Sequence, residues 1–300
     1  MKDYSNILII KMSSLGDVIH ALPTLYALRQ NLPHAKITWA IHEQFASLLP
    51  GTPWVDEVII IDKKQLKSPS YLWNLRKDLH SRHFDMTLDL QCIAKSAIVS
   101  LLSGAPERYG YWELREGSKF VNKALVGAHK YDHVIERYLD TVRVLGGDVE
   151  GVEFPMPHDH EAEGVIRKRL ADLGVTDDYV VVVPGARWIV KEWPLLNFGE
   201  LCIRLCESGK KVIIAGAPDD NEKGLFIENY VKHDNLINLV GKTTMAELIE
   251  LIRHCHIFIS DDTGPLHIAN ALKKPLIALF GTTSPHRTGP YGGSHVHIII

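Results

Sequence analysis

The first residues whose type and setting suit chemistry lie in the run Lys11-Met12-Ser13-Ser14-Leu15-Gly16-Asp17-Val18-Ile19-His20, between a strand-like apolar run and a helix-period stretch. Gly16 allows a tight turn and close backbone approach by a ligand. Asp17 stands where Val18, Ala21, Leu22 and Leu25 begin an amphipathic helix. Two roles fit it. As an N-cap it would satisfy an orphan amide, worth ~1 kcal/mol. As a carboxylate kept ionised by the positive helix end, it would accept a proton from a substrate. The roles are compatible, since one oxygen can cap while the other faces a ligand. His20, one turn on, is either a partner at the edge of the same site or an exposed residue.

A second loop, Ser260-Asp261-Asp262-Thr263-Gly264-Pro265-Leu266-His267, repeats the design late in the chain. Amides at a helix start, a glycine with no side chain in the way and the Thr263 hydroxyl suit a diphosphate, with His267 one turn in. Adjacent aspartates are a weak metal signal, and one of the two is expected to cap the helix, so anion binding without metal is the expectation. A third loop, Pro184 to Pro194, offers Arg187 and Lys191 ahead of Trp193-Pro194; they are either solvated cations or the positive charge for an anionic ligand. In the fourth, Gly216-Ala217-Pro218-Asp219-Asp220-Asn221-Glu222, carboxylates could accept hydrogen bonds from ribose hydroxyls or simply occupy a helix's first turn. Other signals fail. Gly241-Lys242-Thr243 lacks the first glycine of a P-loop, where Leu236 stands; no G-x-G-x-x-G, G-x-S-x-G or H-E-x-x-H occurs. His254 and His256 flank Cys255 at a strand entrance, where neighbours point to opposite faces, which disfavours a metal there.

The elements that must position these loops are short apolar runs alternating with helix-period stretches, the mark of βαβ units and a parallel sheet. Strands are predicted at 7–11, 36–41, 57–62 and 86–89, with helices near 18–31, 44–49, 71–81, 93–102 and 134–145. Gly146-Gly147 and Phe154-Pro155-Met156-Pro157-His158 break the pattern as a linker does. It resumes with a helix near 162–173 and strands at 179–183, 211–215, 237–240, 257–260, 276–280 and 296–300. Two doubly wound α/β domains follow, 1–155 and 156–300, each binding ligands at the carboxyl ends of its strands. A cleft between them would hold a donor on one side and an acceptor on the other.

Thirty-three basic against 36 acidic residues leave a net charge of −3, without the basic excess of a nucleic-acid binder. Any anion must be met by local groups. Lys63, Lys64 and Lys67 form a charge run that is either solvated or attractive to an anionic lipid head group. The four cysteines form no C-x-x-C pair and suit buried thiols in a reducing compartment; Cys202 and Cys206 are two core positions on one helix face. No signal peptide or membrane-length apolar run is apparent, so a cytoplasmic protein is expected.

Four segments together resemble the ADP-heptose lipopolysaccharide heptosyltransferases of glycosyltransferase family 9: Lys11 to His20 with Ala21-Leu22-Pro23, Gln91-Cys92-Ile93-Ala94-Lys95-Ser96, Lys191-Glu192-Trp193-Pro194, and Asp262-Thr263-Gly264 with His267. The resemblance spans essentially the whole chain, and Ser-Ser-Leu-Gly-Asp-Val-Ile-His is most similar to the heptosyltransferase I branch. It implies a GT-B fold and inverting transfer of heptose from ADP-heptose to a Kdo-lipid A acceptor, at the inner face of the inner membrane, without cofactor or metal. By position it implies Asp17 as general base and Lys191 on the donor phosphate. Thr263, Gly264, His267 and Asp262 belong with the diphosphate, and Ser14, Gly16, Lys95 and Arg115 with the acceptor. Asp220 stands where that pattern has a glutamate for the ribose, with Glu222 as the alternative contact. The rival readings are a transferase for another nucleotide sugar and a non-catalytic nucleotide-sugar binding module.

Overall fold

A computed structural model describes residues 1–176, 178–186 and 188–300. The chain divides into two units, Met1–Pro157 and His158–Ile300. The first contains β1 (Asn6–Ile10), α1 (Leu15–Asn31), β2 (Lys36–Ile41), β3 (Glu57–Ile60), α2 (Pro69–His80), β4 (Met86–Asp89), α3 (Ala94–Leu102), β5 (Glu107–Tyr111), β6 (Lys123–Leu125) and α4 (Val134–Val144). The second contains α5 (His160–Asp172), β7 (Tyr179–Val183), α6 (Leu195–Glu207), β8 (Lys211–Ile214), α7 (Asn221–Val231), β9 (Leu236–Asn238), α8 (Met245–His254), β10 (Ile257–Asp261), α9 (Gly264–Ala271), β11 (Leu276–Leu279), α10 (Pro285–Thr288) and β12 (Val296–Ile299).

Both sheets are six-stranded and parallel, in the orders β3-β2-β1-β4-β5-β6 and β12-β11-β10-β7-β8-β9. Each is the 3-2-1-4-5-6 order of doubly wound nucleotide folds, in which chain direction across the sheet reverses beside the first strand. That switch point falls between β1 and β4 in one unit and between β7 and β10 in the other. Central strands read as unbroken apolar runs because helices cover both faces: Ile7, Leu8, Ile9 and Ile10 have no exposed surface. Leu8 and Ile10 pack against Leu75, Leu79 and Phe84, while Val180 and Val182 pack against Phe198, Cys202 and Cys206 on α6. The two cysteines do share one buried helix face, and burial raises their thiol pKa values to about 12 and about 11.

Two strands escape the apolar pattern. Glu-Arg-Tyr-Gly-Tyr at β5 is half-buried and carries no aliphatic run, and β6 is a three-residue edge strand. The stretch predicted as a helix near 44–49 is a 3-10 segment, Glu43–Leu48. No described helix is long and apolar enough to cross a membrane.

Candidate active site

The loop after β1 is held from several sides. Pairing of Ile10 with Asp89 brings Lys11 beside Leu90. The Lys11 Nζ, almost wholly buried, donates to the Leu90 carbonyl (3.1 Å) and to the Tyr138 hydroxyl (2.9 Å). Trp39 Nε1 donates to the Lys11 carbonyl at 3.0 Å. The Met12 and Ser13 amides both donate to Gln91 Oε1 at 3.1 Å. The Ser13–Ser14 peptide bond is cis.

Asp17 is not the N-cap. Ser14 takes that position, and Asp17 is its reciprocal partner three residues on. The Ser14 amide and hydroxyl donate to Asp17 Oδ2 at 3.0 and 2.6 Å. Oδ1 lies 3.9 Å from Lys11 Nζ, and the side chain is 41% exposed. One carboxylate oxygen thus serves the helix start while the side chain remains open to solvent. Gly16 sits in the first turn of α1 and makes no turn of its own. His20, left open between site edge and surface, is buried and meets the His133 ring edge-on at 5.6 Å.

The loop after β4 rests on Asp89, fully buried. Its Oδ1 accepts the Gln91 and Cys92 amides (2.9 and 2.8 Å), and its Oδ2 accepts Ser96 Oγ and Asn122 Nδ2 (2.8 and 2.9 Å). Burial pushes its pKa up to about 6, against the pull of these donors and of Lys11. Asp89 therefore shapes the turn that aims Gln91 at Met12 and Ser13. Lys95 and Arg115 are both exposed, and the Arg115 amide ties its segment to the Cys92 carbonyl at 2.9 Å.

In the second unit, pairing of Ser260 with Val183 sets the loops after β10 and β7 side by side. Neither aspartate caps α9; Thr263 is the N-cap, and its side chain makes no capping hydrogen bond. Asp262 Oδ2 instead accepts Lys191 Nζ (2.6 Å) and Thr283 Oγ1 (2.8 Å). Asp261 Oδ1 accepts the Trp193 amide at 3.0 Å, while its Oδ2 has no hydrogen-bond partner among the described residues. Burial raises the Asp261 pKa to about 7, with the Trp193 amide opposing. Lys191 and Trp193 are thereby stitched to the loop after β10. The amides of Gly264 and Leu266 at the start of α9 have no intrahelical acceptor, and Pro265 has no amide to offer. His267 is buried one turn in.

Asp220 is occupied within the protein. Lys223 Nζ bridges Glu192 Oε1 (2.5 Å) and Asp220 Oδ1 (3.0 Å); burial is the largest single influence and lowers the lysine pKa, but the two carboxylates together outweigh it and raise it. A Cβ on Gly185 would come within 2.8 Å of Asp220 Oδ1, so glycine lets the β7 loop approach that pair. Glu222 is exposed in the first turn of α7. Arg187 lies outside the described residues. Lys11, Gln91 and Glu192 lie in segments that sequence reasoning quoted but were given no role there, and Asp89 and Lys223 were not singled out. A carboxylate ending an apolar strand, as in Met-Thr-Leu-Asp, is the one signal that points to any of them.

Two doubly wound units, each with polar loops at the switch point, are the architecture of the GT-B fold. Residues 72–300 match the model of glycosyltransferase family 9 (heptosyltransferase). The chain is 30% identical to lipopolysaccharide heptosyltransferase 1 of Pseudomonas aeruginosa, over 97% of this chain and 83% of that one. Its structure is similar to a family 9 glycosyltransferase from Veillonella parvula (TM-score 0.89, 25% identity, covering 99% and 86%) and to an E. coli heptosyltransferase solved with ADP (0.80, 26%, 98% and 92%). The chain belongs to glycosyltransferase family 9, the heptosyltransferases of lipopolysaccharide core synthesis.

Proposed function

We propose that this enzyme transfers heptose, with inversion, from ADP-heptose to the Kdo-lipid A inner core. The observation that carries the reading is Asp17, with Oδ2 engaged by Ser14 and Oδ1 beside Lys11 on a partly exposed side chain. In the reaction, the acceptor hydroxyl oxygen forms a bond to the anomeric carbon from the face opposite the diphosphate. Its proton passes to Asp17, and the carbon–oxygen bond to the diphosphate breaks, ADP leaving with the electron pair. Such general-base assistance supplies ~10²–10⁴ in rate. Lys191, Thr263, Gly264 and His267 receive the negative charge that grows on ADP, as preorganised donors that need no resident metal. Asp262 holds the Lys191 ammonium in position at 2.6 Å.

The donor assignment is supported by two structures of an E. coli heptosyltransferase, one with ADP and one with ADP-2-deoxy-2-fluoro heptose, each 26% identical to this chain. Ser14, Gly16, Lys95 and Arg115 are the acceptor-side residues in this reading, and Arg187 and Asp220 join the donor side. For Asp220 to reach a ribose, the Lys223 ammonium must share it. The acceptor is lipid-anchored, so the enzyme works as a peripheral cytoplasmic protein at the inner membrane face.

Incubation with ADP-heptose and a Kdo-bearing acceptor, with product read by mass, tests the reading. Transfer should occur and persist in EDTA; loss of product in EDTA refutes the metal-free route. Stabilisation by UDP but not by ADP in a thermal-shift series refutes the donor assignment and favours another nucleotide sugar.

A further inference from the structure

Three histidines gather around one glutamate at the beginning of the second unit, among residues that the transfer chemistry does not use. His158 Nε2 lies 2.9 Å and His160 Nδ1 3.6 Å from Glu163 Oε2, and the three ligand atoms all fall within 4.8 Å of one another. Two ligands on a tetrahedral zinc-type ion, with bonds near 2.0–2.2 Å, stand ~3.4 Å apart. The observed separations straddle that value. His160, 83% exposed, is free to make the small adjustment required.

The backbone carrying the two imidazoles is fixed in advance. Between them, the Asp159 amide donates to the buried Glu250 Oε1 (3.2 Å), and the Asp159 carboxylate caps α5 through the Glu161 and Ala162 amides, both at 3.0 Å. The cap sets Glu163 one turn into the helix, facing back toward both rings. The other carboxylate atoms are already engaged. Arg167 Nε (2.9 Å) and His254 Nε2 (3.0 Å) attend Glu163 Oε1, Arg253 Nε donates to Glu250 Oε2 (2.8 Å), and His158 lies 3.8 Å from that same oxygen. Such outer partners orient a ligating carboxylate and leave its second oxygen to the metal. A neutral imidazole keeps one ring lone pair, the kind of donor a borderline dication takes.

We propose that His158, His160 and Glu163 form a binding site for a zinc-class divalent transition metal, with water completing the coordination. The site fastens the end of the connector, whose last residue before it is Pro157, to the first turn of α5. It is distinct from the residues assigned to the donor and to Asp17.

The test is uptake of Co²⁺ and Zn²⁺ by the full-length, tag-free protein at pH 7.5 and 5.5, read by visible absorption and by competition with a chromophoric chelator. One equivalent is expected at pH 7.5, with weaker uptake at pH 5.5 because protons compete with a metal for its ligands. The His158→Ala/His160→Ala pair should lose at least about 10-fold in affinity, the least that removal of even an outer partner costs. His256→Ala, at an exposed ring beside Asp178 Oδ1 (3.8 Å), should change nothing. The conservative His158→Gln/His160→Gln pair, with folding checked by circular dichroism, should behave as the alanine pair does. Equal uptake by these variants, or no uptake at one equivalent, overturns the site. Loss of transfer with metal uptake intact would instead count against the proposed glycosyl chemistry alone.

Discussion

Replacing Asp17 by Asn separates the two duties of this residue. An amide oxygen can still accept the Ser14 amide and hydroxyl, now at 3.0 and 2.6 Å on Oδ2, so the start of α1 keeps its hydrogen bonds. What disappears is the charge beside Lys11 Nζ, 3.9 Å away on a side chain 41% exposed. A solvent-screened pair of that kind contributes at most about 1 kcal/mol. Lys11 also retains the Leu90 carbonyl and the Tyr138 hydroxyl as acceptors. Melting should therefore fall by no more than about 4 °C. The loss of a general base costs ~10²–10⁴ in kcat, or about 3–5 kcal/mol of transition-state stabilisation. The catalytic effect should exceed the structural one several-fold. The assay is single-turnover transfer read by mass, beside ADP affinity by calorimetry and a melting curve. Asp17→Ala, which also removes the acceptor for Ser14, should lose roughly 1 kcal/mol more in stability with no greater loss of rate. An Asn variant that turns over within a few-fold of wild type would refute the reasoning and leave Asp17 as a helix-start residue.

Lys191→Ala leaves the buried Asp262 with Thr283 as its one side-chain partner among the described residues, which should cost roughly 1–3 kcal/mol in stability and ~10²–10³ in kcat, with weaker ADP binding. Adding Asp262→Asn should recover stability without recovering transfer; recovery of both in denaturation and transfer assays would mean that the ion pair only braces the loop. Gln91→Ala removes the acceptor of two amides and should lower kcat while ADP affinity by calorimetry stays unchanged, at about 1 kcal/mol of stability per lost bond. Asp261 gives a pH test. Its pKa is raised to about 7 in the fold against 3.8 unfolded, so between those values the native state holds a proton that the unfolded chain has released. Stability from this group is present in full below about pH 4, declines as pH rises and is gone above about pH 7. Denaturation curves from pH 5 to 7.5 should therefore lose less stability in Asp261→Asn than in wild type, and parallel slopes would contradict the assignment.

The sequence by itself carried whatever depends on short-range order. Apolar runs marked ten of the twelve described strands, most plainly the central ones, whose two faces are covered. The loops at Asp17, Asp262 and Lys191 stood out because glycine, proline and polar residues cluster at strand ends. Four matching segments also sufficed for the family. Even locally, some readings failed: Thr263 rather than an aspartate caps α9, the stretch near 44–49 is 3-10, and Ser14 rather than Asp17 caps α1, since the two residues offer interchangeable caps until backbone angles decide between them. Only tertiary structure decided the partners. Strand order sets Gln91 on Met12 and Ser13, and it joins Lys191 to Asp262 across 71 residues of chain. It likewise sets Glu192 on Lys223 across 31 residues of chain, whereas the Asp220–Lys223 pair is a local contact at the start of α7. His254 showed no metal partner within its own stretch, yet the fold packs α8 on α5 and sets it beside Glu163. Periodicity and capping arise from neighbours a few residues apart, so they are written locally. Charge partners depend on which strands pair and in what register, and that is settled by burial over the whole sheet.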